Sequence, residues 1–261
     1  ESKWDYAADG EPIKEGFRRA WRGTLACVTQ MDDIFGRLMA ELESRGLTDD
    51  TIVIYSSDHG GYHGIHGIRE KAPGICSNEV CRVPLLWRVP GMTKPDTVQD
   101  ALIESIDFTP TLLSLCGLPA LDSADGCDTT PLLKGDVKAI HQCAVTENAW
   151  SKSIRWDKWR LVHYPQAMFD GQDEGELYDM DNDPCEQHNL YHDADHRQIV
   201  EQGRLMLLDW LITTTRVKTS HPAEYQGPAR GGHRSYPLAA DGKLPNTYQP
   251  RFKENLNRNY A

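Results

Sequence analysis

The stretch from residue 17 to residue 55 constrains the fold more than any other. Leu25, Val28, Met31, Phe35, Leu38 and Leu42 recur at three- and four-residue steps. A helix over about 17–45 gathers them into one apolar stripe. Gly46 follows as a helix stop, and 47–50 is a short turn. Residues 51–55 (TIVIY) then read as a strand, β-branched and apolar on both faces as a central parallel strand should be. Helix, short loop and central strand make half of an α/β unit.

The pattern continues downstream. Residues 83–89 (VPLLWRV) predict a second buried strand, closed by Pro90-Gly91, and its opening Val-Pro suits a strand's first residue, where no amide is needed. In 107–117, Asp107 reads as an N-cap, Pro110 sits in the first turn and Gly117 ends the helix. Residues 122–135 read as loop. Composition then shifts to short strand candidates at 143–147, 153–156, 159–164 and 176–180, with Asp157-Lys158 as a two-residue hairpin turn. A helix over about 195–214 packs on this layer through Ile199, Leu205, Leu208 and Leu211. The expected fold class is α/β: a parallel sheet with flanking helices, plus a smaller C-terminal antiparallel sheet packed with a helix. Three segments follow: 1–138, 139–216, and an extended tail over 217–261 suited to a homo-oligomer contact.

Composition narrows the function. Twenty-eight basic against 39 acidic residues give a formal net charge of -11, which argues against a broad nucleic-acid surface but leaves room for a small cationic pocket. No apolar stretch approaches the ~20 residues of a membrane span. The seven cysteines form no CxxC pair, so a zinc ribbon is disfavoured, and their odd number leaves at least one free thiol. The compartment stays open. The first residues, Glu1-Ser2-Lys3-Trp4, are neither an initiator methionine nor a signal peptide, so the expectation is a processed chain or a piece of something longer.

Chemistry concentrates where the first strand surfaces, in Asp58-His59-Gly60-Gly61, His63, His66 and Lys71. In open α/β sheets, ligands bind beyond the carboxyl ends of strands. Asp58 offers hard oxygen ligation and His59 an imidazole nitrogen, while Gly60 and Gly61 permit a sharp exit. Lys71 supplies a point charge for an oxyanion and a leaving oxygen. No HExxH helix holds the histidines, so a carboxylate-led loop site suits Ca²⁺, Mg²⁺ or Mn²⁺ better than zinc.

These motifs in their order resemble the second half of a sulfatase, a family of the alkaline-phosphatase superfamily. The resemblance runs through Ser57-Asp58-His59-Gly60, His66-Gly67, Lys71, Arg82-Val83-Pro84, Pro90-Gly91 and Asp107-Phe108-Thr109-Pro110-Thr111, and resumes over 177–190. It implies that Asp58 and His59 ligate a divalent cation, usually Ca²⁺, that Lys71 contacts the sulfate and its bridging oxygen as the catalytic cation, and that His66 contacts substrate. His63 has no counterpart there and reads as loop surface; Glu79 and Arg82 read as a structural pair. The substrate implied is a small-molecule or carbohydrate sulfate ester.

One departure matters most. The family's nucleophile is a formylglycine made within Cys/Ser-x-Pro-x-Arg, and that motif is absent from this chain. So are the family's early metal aspartates. The resemblance therefore implies the C-terminal portion of a sulfatase, partnered by the missing N-terminal half of the same protein, where the formylglycine is expected; the chain alone is expected to be inert. A phosphonate monoester hydrolase or phosphodiesterase of the same superfamily, and a non-catalytic sulfatase-like module, stay open as alternatives.

Overall fold

The computed structural model of the protein describes residues 11–68, 76–121, 124–148 and 150–214. The expected tail over 217–261 lies outside them. In chain order the elements are α1 (Glu11–Ser44), β1 (Val53–Ser56), α2 (Asn78–Cys81), β2 (Leu85–Arg88), α3 (Phe108–Leu115), α4 (Thr130–Lys134), β3 (Cys143–Glu147), β4 (Lys152–Trp156), β5 (Trp159–His163), β6 (Gly175–Asp179) and α5 (Arg197–Thr214). No helix among the described residues is long and apolar enough to cross a membrane.

The α1 helix starts earlier than its periodicity predicts and stops where expected. Gly46 takes φ 67°, and the amides of Gly46 and Leu47 return to the carbonyls of Glu43 and Leu42 at 3.0 and 2.9 Å, closing the last turn through a left-handed glycine. The apolar stripe exists but is not core: Leu25, Val28, Met31 and Leu38 are 46–58% exposed. The helix meets the sheet at few points, such as the Phe35 ring 5.8 Å from Tyr55.

The first sheet corrects an expectation. β1 and β2 pair antiparallel, in register from Val53 with Arg88 to Ser56 with Leu85, not parallel. A parallel pair needs a crossover that carries the chain back to the starting edge. Here the chain leaves β1, makes the one-turn α2, and enters β2 from the same end. Nor are the two strands buried on both faces, since Leu86 is 59% exposed.

The second sheet has the four expected strands, antiparallel throughout, in the order β3-β4-β5-β6. Asp157 takes φ 43° in the predicted two-residue turn. Ile154, Trp156, Leu161 and Leu177 point to one face and form the core with Val200 and Leu207 of α5. The packing face of α5 agrees with the predicted one only in part. Val200, Gly203 and Leu207 are buried, whereas Leu205 and Leu208 are more than half exposed. Gly203 sets this phase: a Cβ there would lie 2.6 Å from Trp156 Cη2 and 2.9 Å from Leu161 Cδ2. The helix turns its bare backbone to the two large side chains; Leu205 and Leu208 rotate to solvent, while Ile199 packs on the core as predicted.

Two smaller corrections concern 107–135. Asp107 does not cap α3 with its side chain, because a 3-10 turn at Ser105–Asp107 runs directly into the helix. The expected loop contains α4, five residues long and therefore invisible to periodicity, with Pro131 in its first turn and Gly135 at φ 80° as its stop. The two sheets are joined by polar bonds. Glu104 accepts the Val145 amide at 2.7 Å, and Glu186 accepts the Asn78 amide at 3.0 Å.

Candidate functional site

The end of β1 delivers Asp58 and His59 together. The Asp58 Oδ1 accepts the His59 amide at 2.8 Å and the Ser57 hydroxyl at 3.3 Å. The amide bond holds the Asp58 carboxyl below its usual range, so it is an anion at neutral pH. The His59 Nδ1 lies 2.8 Å from the Gly60 carbonyl. A carbonyl only accepts, so Nδ1 carries the proton and the neutral ring presents its Nε2 lone pair. That Nε2 is 3.5 Å from Asp58 Oδ2. Two oxygen-type donor bonds of about 2.4 Å at right angles place their atoms about 3.4 Å apart, so the pair has the bite of neighbouring ligands on one cation. Both side chains lie on the wall of an open groove also lined by Asn78, Arg82 and Glu104.

The glycine after the pair is required by the fold. The Gly60 amide donates to Val80 O at 2.8 Å, and a Cβ on Gly60 would fall 1.9 Å from Glu79 O. The exit of β1 is thus pressed against the backbone of α2, which fixes the direction in which Asp58 and His59 leave the strand.

The other predicted residues divide. His66, at φ 53°, points its Nε2 at Glu79 Oε2, 3.9 Å away, and sets its ring edge-on to Tyr62. Glu79 turns to His66, not to the expected Arg82. His63 is half-buried and packs its ring 5.2 Å from Trp21 of α1. Lys71, the expected catalytic cation, lies outside the described residues. Asp58 and His59 are therefore brought together with each other, while His66 belongs to a different contact.

Several polar clusters were not legible in the sequence. Arg160 and Glu186, with side chains 4% and 1% exposed, form an ion pair at 3.1 Å. Both Glu186 oxygens also take the Asn78 amide. Burial pushes the Glu186 carboxyl up to about 7, against the pull of Arg160. Asp107, with no exposed surface, takes His141 Nε2 at 2.7 Å and the amides of Cys127 and Glu104 at 2.8 Å each. Burial alone would raise its carboxyl, but these bonds outweigh it and hold it low. Each cluster joins residues far apart in sequence, so no spacing announces it. Among the described residues, two groups bring three donor atoms within 4.8 Å of one another: Asp107 with Cys127 and His141, and His66 with Glu79 and Glu186. Asp107 and Glu186 are already saturated by amides and a cationic or imidazole partner, so both groups read as structural locks.

Two family models together cover most of the chain. The family model described as sulfatase matches residues 5–118, and that described as N-sulphoglucosamine sulphohydrolase, C-terminal, matches residues 64–210. The chain is 29% identical over 211 residues to an N-acetylglucosamine-6-O-sulfatase of Bacteroides thetaiotaomicron, covering 74% of this chain and 35% of that protein. It is 31% identical over 178 residues to an ulvan-active sulfatase of Formosa agariphila, covering 66% and 35%. Among solved structures, it is similar to a protein in complex with its substrate D-glucosamine-2-N,6-O-disulfate, at a TM-score of 0.69 and 27% identity, over 79% of this chain and 43% of that one. The chain thus spans about a third of the length of these curated relatives.

Proposed function

Since this chain belongs to the sulfatase family, we propose that it forms one wall of a divalent-cation-dependent sulfate-ester hydrolase. The observation that carries the reading is the Asp58–His59 pair: an ionised carboxylate and a correctly oriented imidazole nitrogen, 3.5 Å apart at the carboxyl end of β1. Membership of the family implies, in general terms, a divalent metal and a formylglycine. The donor set fits such a metal, and Ca²⁺ is the ion we assign, because an anionic oxygen ligand leads the set; Mg²⁺ and Mn²⁺ are the substitutes to test. Two ligands are fewer than the six to eight that Ca²⁺ takes, so the remaining donors come from the upstream half of the protein. That half also supplies the formylglycine nucleophile. The cation, when bound, would supply positive charge against the sulfate oxygens.

The chain's own residues would then do three things. Asp58 contributes the formal negative charge that retains the cation. Gly60 O, by holding the His59 ring, keeps the nitrogen lone pair directed outward. Lys71, by the family pattern, places a fixed ammonium on the sulfate and its bridging oxygen, where charge builds as the ester bond breaks. His66, turned to Glu79 in this structure, is assigned a substrate contact by the family pattern alone. We assign a carbohydrate sulfate as the substrate class. The N-acetylglucosamine and ulvan sulfatases among the relatives, and the glucosamine disulfate bound by the solved neighbour, support that choice.

The test uses the complete protein, with Asp58→Asn, His59→Ala and Lys71→Ala variants, cation binding by calorimetry, and hydrolysis of a sulfated glucosamine against a phosphonate monoester. Asp58→Asn and His59→Ala should weaken cation binding by at least about tenfold, while Lys71→Ala should lower turnover with cation binding intact. Unchanged cation affinity in both ligand variants would overturn the site. Faster turnover of the phosphonate would transfer the protein to the phosphonate hydrolase branch.

A further inference from the structure

The one-turn α2 helix carries a second reactive centre. Cys76 precedes its first turn and Cys81 is its last residue, and Cys81 packs against the buried cluster of Cys76, Val162 and Tyr164. Cys76 is 1% exposed. Asn148 Nδ2 donates to its sulfur at 3.1 Å, and Ser151 Oγ stands 3.5 Å away. Cys81 is half-buried, lines the same groove as Asp58 and His59, and takes Arg160 Nη2 at 3.4 Å. The same guanidinium bonds the Cys76 carbonyl, so it is anchored beside both cysteines.

We propose that Cys76 and Cys81 form a redox-active dithiol, in which Cys81 attacks a small-molecule disulfide and Cys76 resolves the product into an intramolecular bond. The proposal does not rest on the sulfatase reading. The roles follow from the surroundings. Cys81 has the groove on one side and a cation on its sulfur, the setting of a reactive thiolate. The hydrogen bond from Cys76, then the Arg160 charge, hold the Cys81 thiol below its usual range despite burial. The same hydrogen bond, with burial, pushes the Cys76 thiol up.

The steps balance. Cys81 thiolate attacks one sulfur of RSSR, forming Cys81–S–SR and releasing RS⁻. The Cys76 thiol then attacks the Cys81 sulfur, loses its proton to the released thiolate, forms the Cys76–Cys81 bond and expels the second RS⁻. Two protein thiols are oxidised by two electrons and one RSSR is reduced to two thiols. The bond would close across α2, the turn whose Val80 carbonyl holds Gly60 at the exit of β1.

Oxidised glutathione applied to the reduced, native full chain tests this, with thiol trapping and peptide mass measurement over time. Trypsin leaves both cysteines in one peptide, 72–82. The expected result is that this peptide becomes two hydrogens lighter, at least about tenfold faster in native than in denatured protein, and before the exposed Cys27, Cys116 and Cys185 acquire glutathione. Cys76→Ser should accumulate a mixed disulfide at Cys81, and Cys81→Ser should leave Cys76 reduced. A peptide 72–82 that stays reduced while the exposed cysteines react would overturn the proposal. Equal native and denatured rates would overturn it too. A stable glutathione adduct at wild-type Cys81 would remove the resolving role of Cys76.

Discussion

Replacing Arg160 by Met should expose how much of the fold depends on one buried ion pair. Arg160 and Glu186 are 4% and 1% exposed in their side chains and 3.1 Å apart. The substitution keeps the apolar stem and removes only the charged head. It strands the Glu186 carboxylate without a counter-charge, which costs about 3–5 kcal/mol for a buried pair. The guanidinium's bond to the Cys76 carbonyl goes with it, adding about 1 kcal/mol. Against a typical total of about 5–15 kcal/mol, this is about a quarter or more of the stability. The sign of the pH dependence identifies the mechanism. Glu186 is already held up to about 7 by burial, and losing Arg160 raises it further. A carboxyl raised in the folded state gives stability that is full below the unfolded value, near 4.3, and is lost as pH rises through the folded value. Urea unfolding of the variant should therefore show a large deficit at pH 8 that narrows towards pH 5, where Glu186 is neutral. Replacing both residues, Arg160→Met with Glu186→Met, should recover much of the loss. A deficit of equal size at both pH values, or a double variant as unstable as the single one, would refute the reasoning.

Other substitutions probe other contacts. Asp107→Asn should destabilise by about 1–3 kcal/mol, because it breaks the His141 contact and leaves buried donors facing each other; chemical denaturation gives the value. Because the Asp107 carboxyl is held low, its contribution is present above the ordinary carboxylate range, near 3.9, and is lost as pH falls through the folded value. Acid unfolding monitored by circular dichroism should be correspondingly shallower in Asp107→Asn. Gly126→Ala should cost at least about 1–3 kcal/mol, because its Cβ would fall 2.0 Å from the Ile106 carbonyl oxygen; an unchanged urea midpoint would contradict the contact. Leu25→Ser and Leu38→Ser should each change the stability of this chain by less than about 0.5 kcal/mol, since both side chains are more than half exposed. A larger loss would mean that the α1 stripe is core after all.

The sheet of β3 to β6 was legible almost residue by residue. Its strands are short, β-branched and aromatic, and separated by turn residues, so local preference and tertiary placement agree. The helix over α1 and its Gly46 stop were legible for the same reason. Burial was not. A period of three and four residues shows that α1 has an apolar stripe, but not that anything lies against it. The face of α5 was partly misread because the decisive residue is Gly203, which contributes no hydrophobicity and acts only through the absence of a side chain. In the candidate site, adjacency in sequence made Asp58 and His59 visible, since a strand exit with two glycines presents neighbours together. The locks around them depend on contacts such as Arg160 with Glu186 and Asp107 with His141, which no local pattern encodes.

The sequence by itself determined the mixed α/β class, the hairpin at Asp157-Lys158, the family, and the chemical types gathered at the end of β1. The first, second and last are properties of short local spacing, and the family is a property of the order of such short motifs along the chain. Only the tertiary structure decided that β1 and β2 run antiparallel, that the imidazole of His59 is turned by Gly60 to present Nε2, and that Cys76 and Cys81 share one guanidinium. Each of those depends on distance and direction between groups that the chain brings together only on folding.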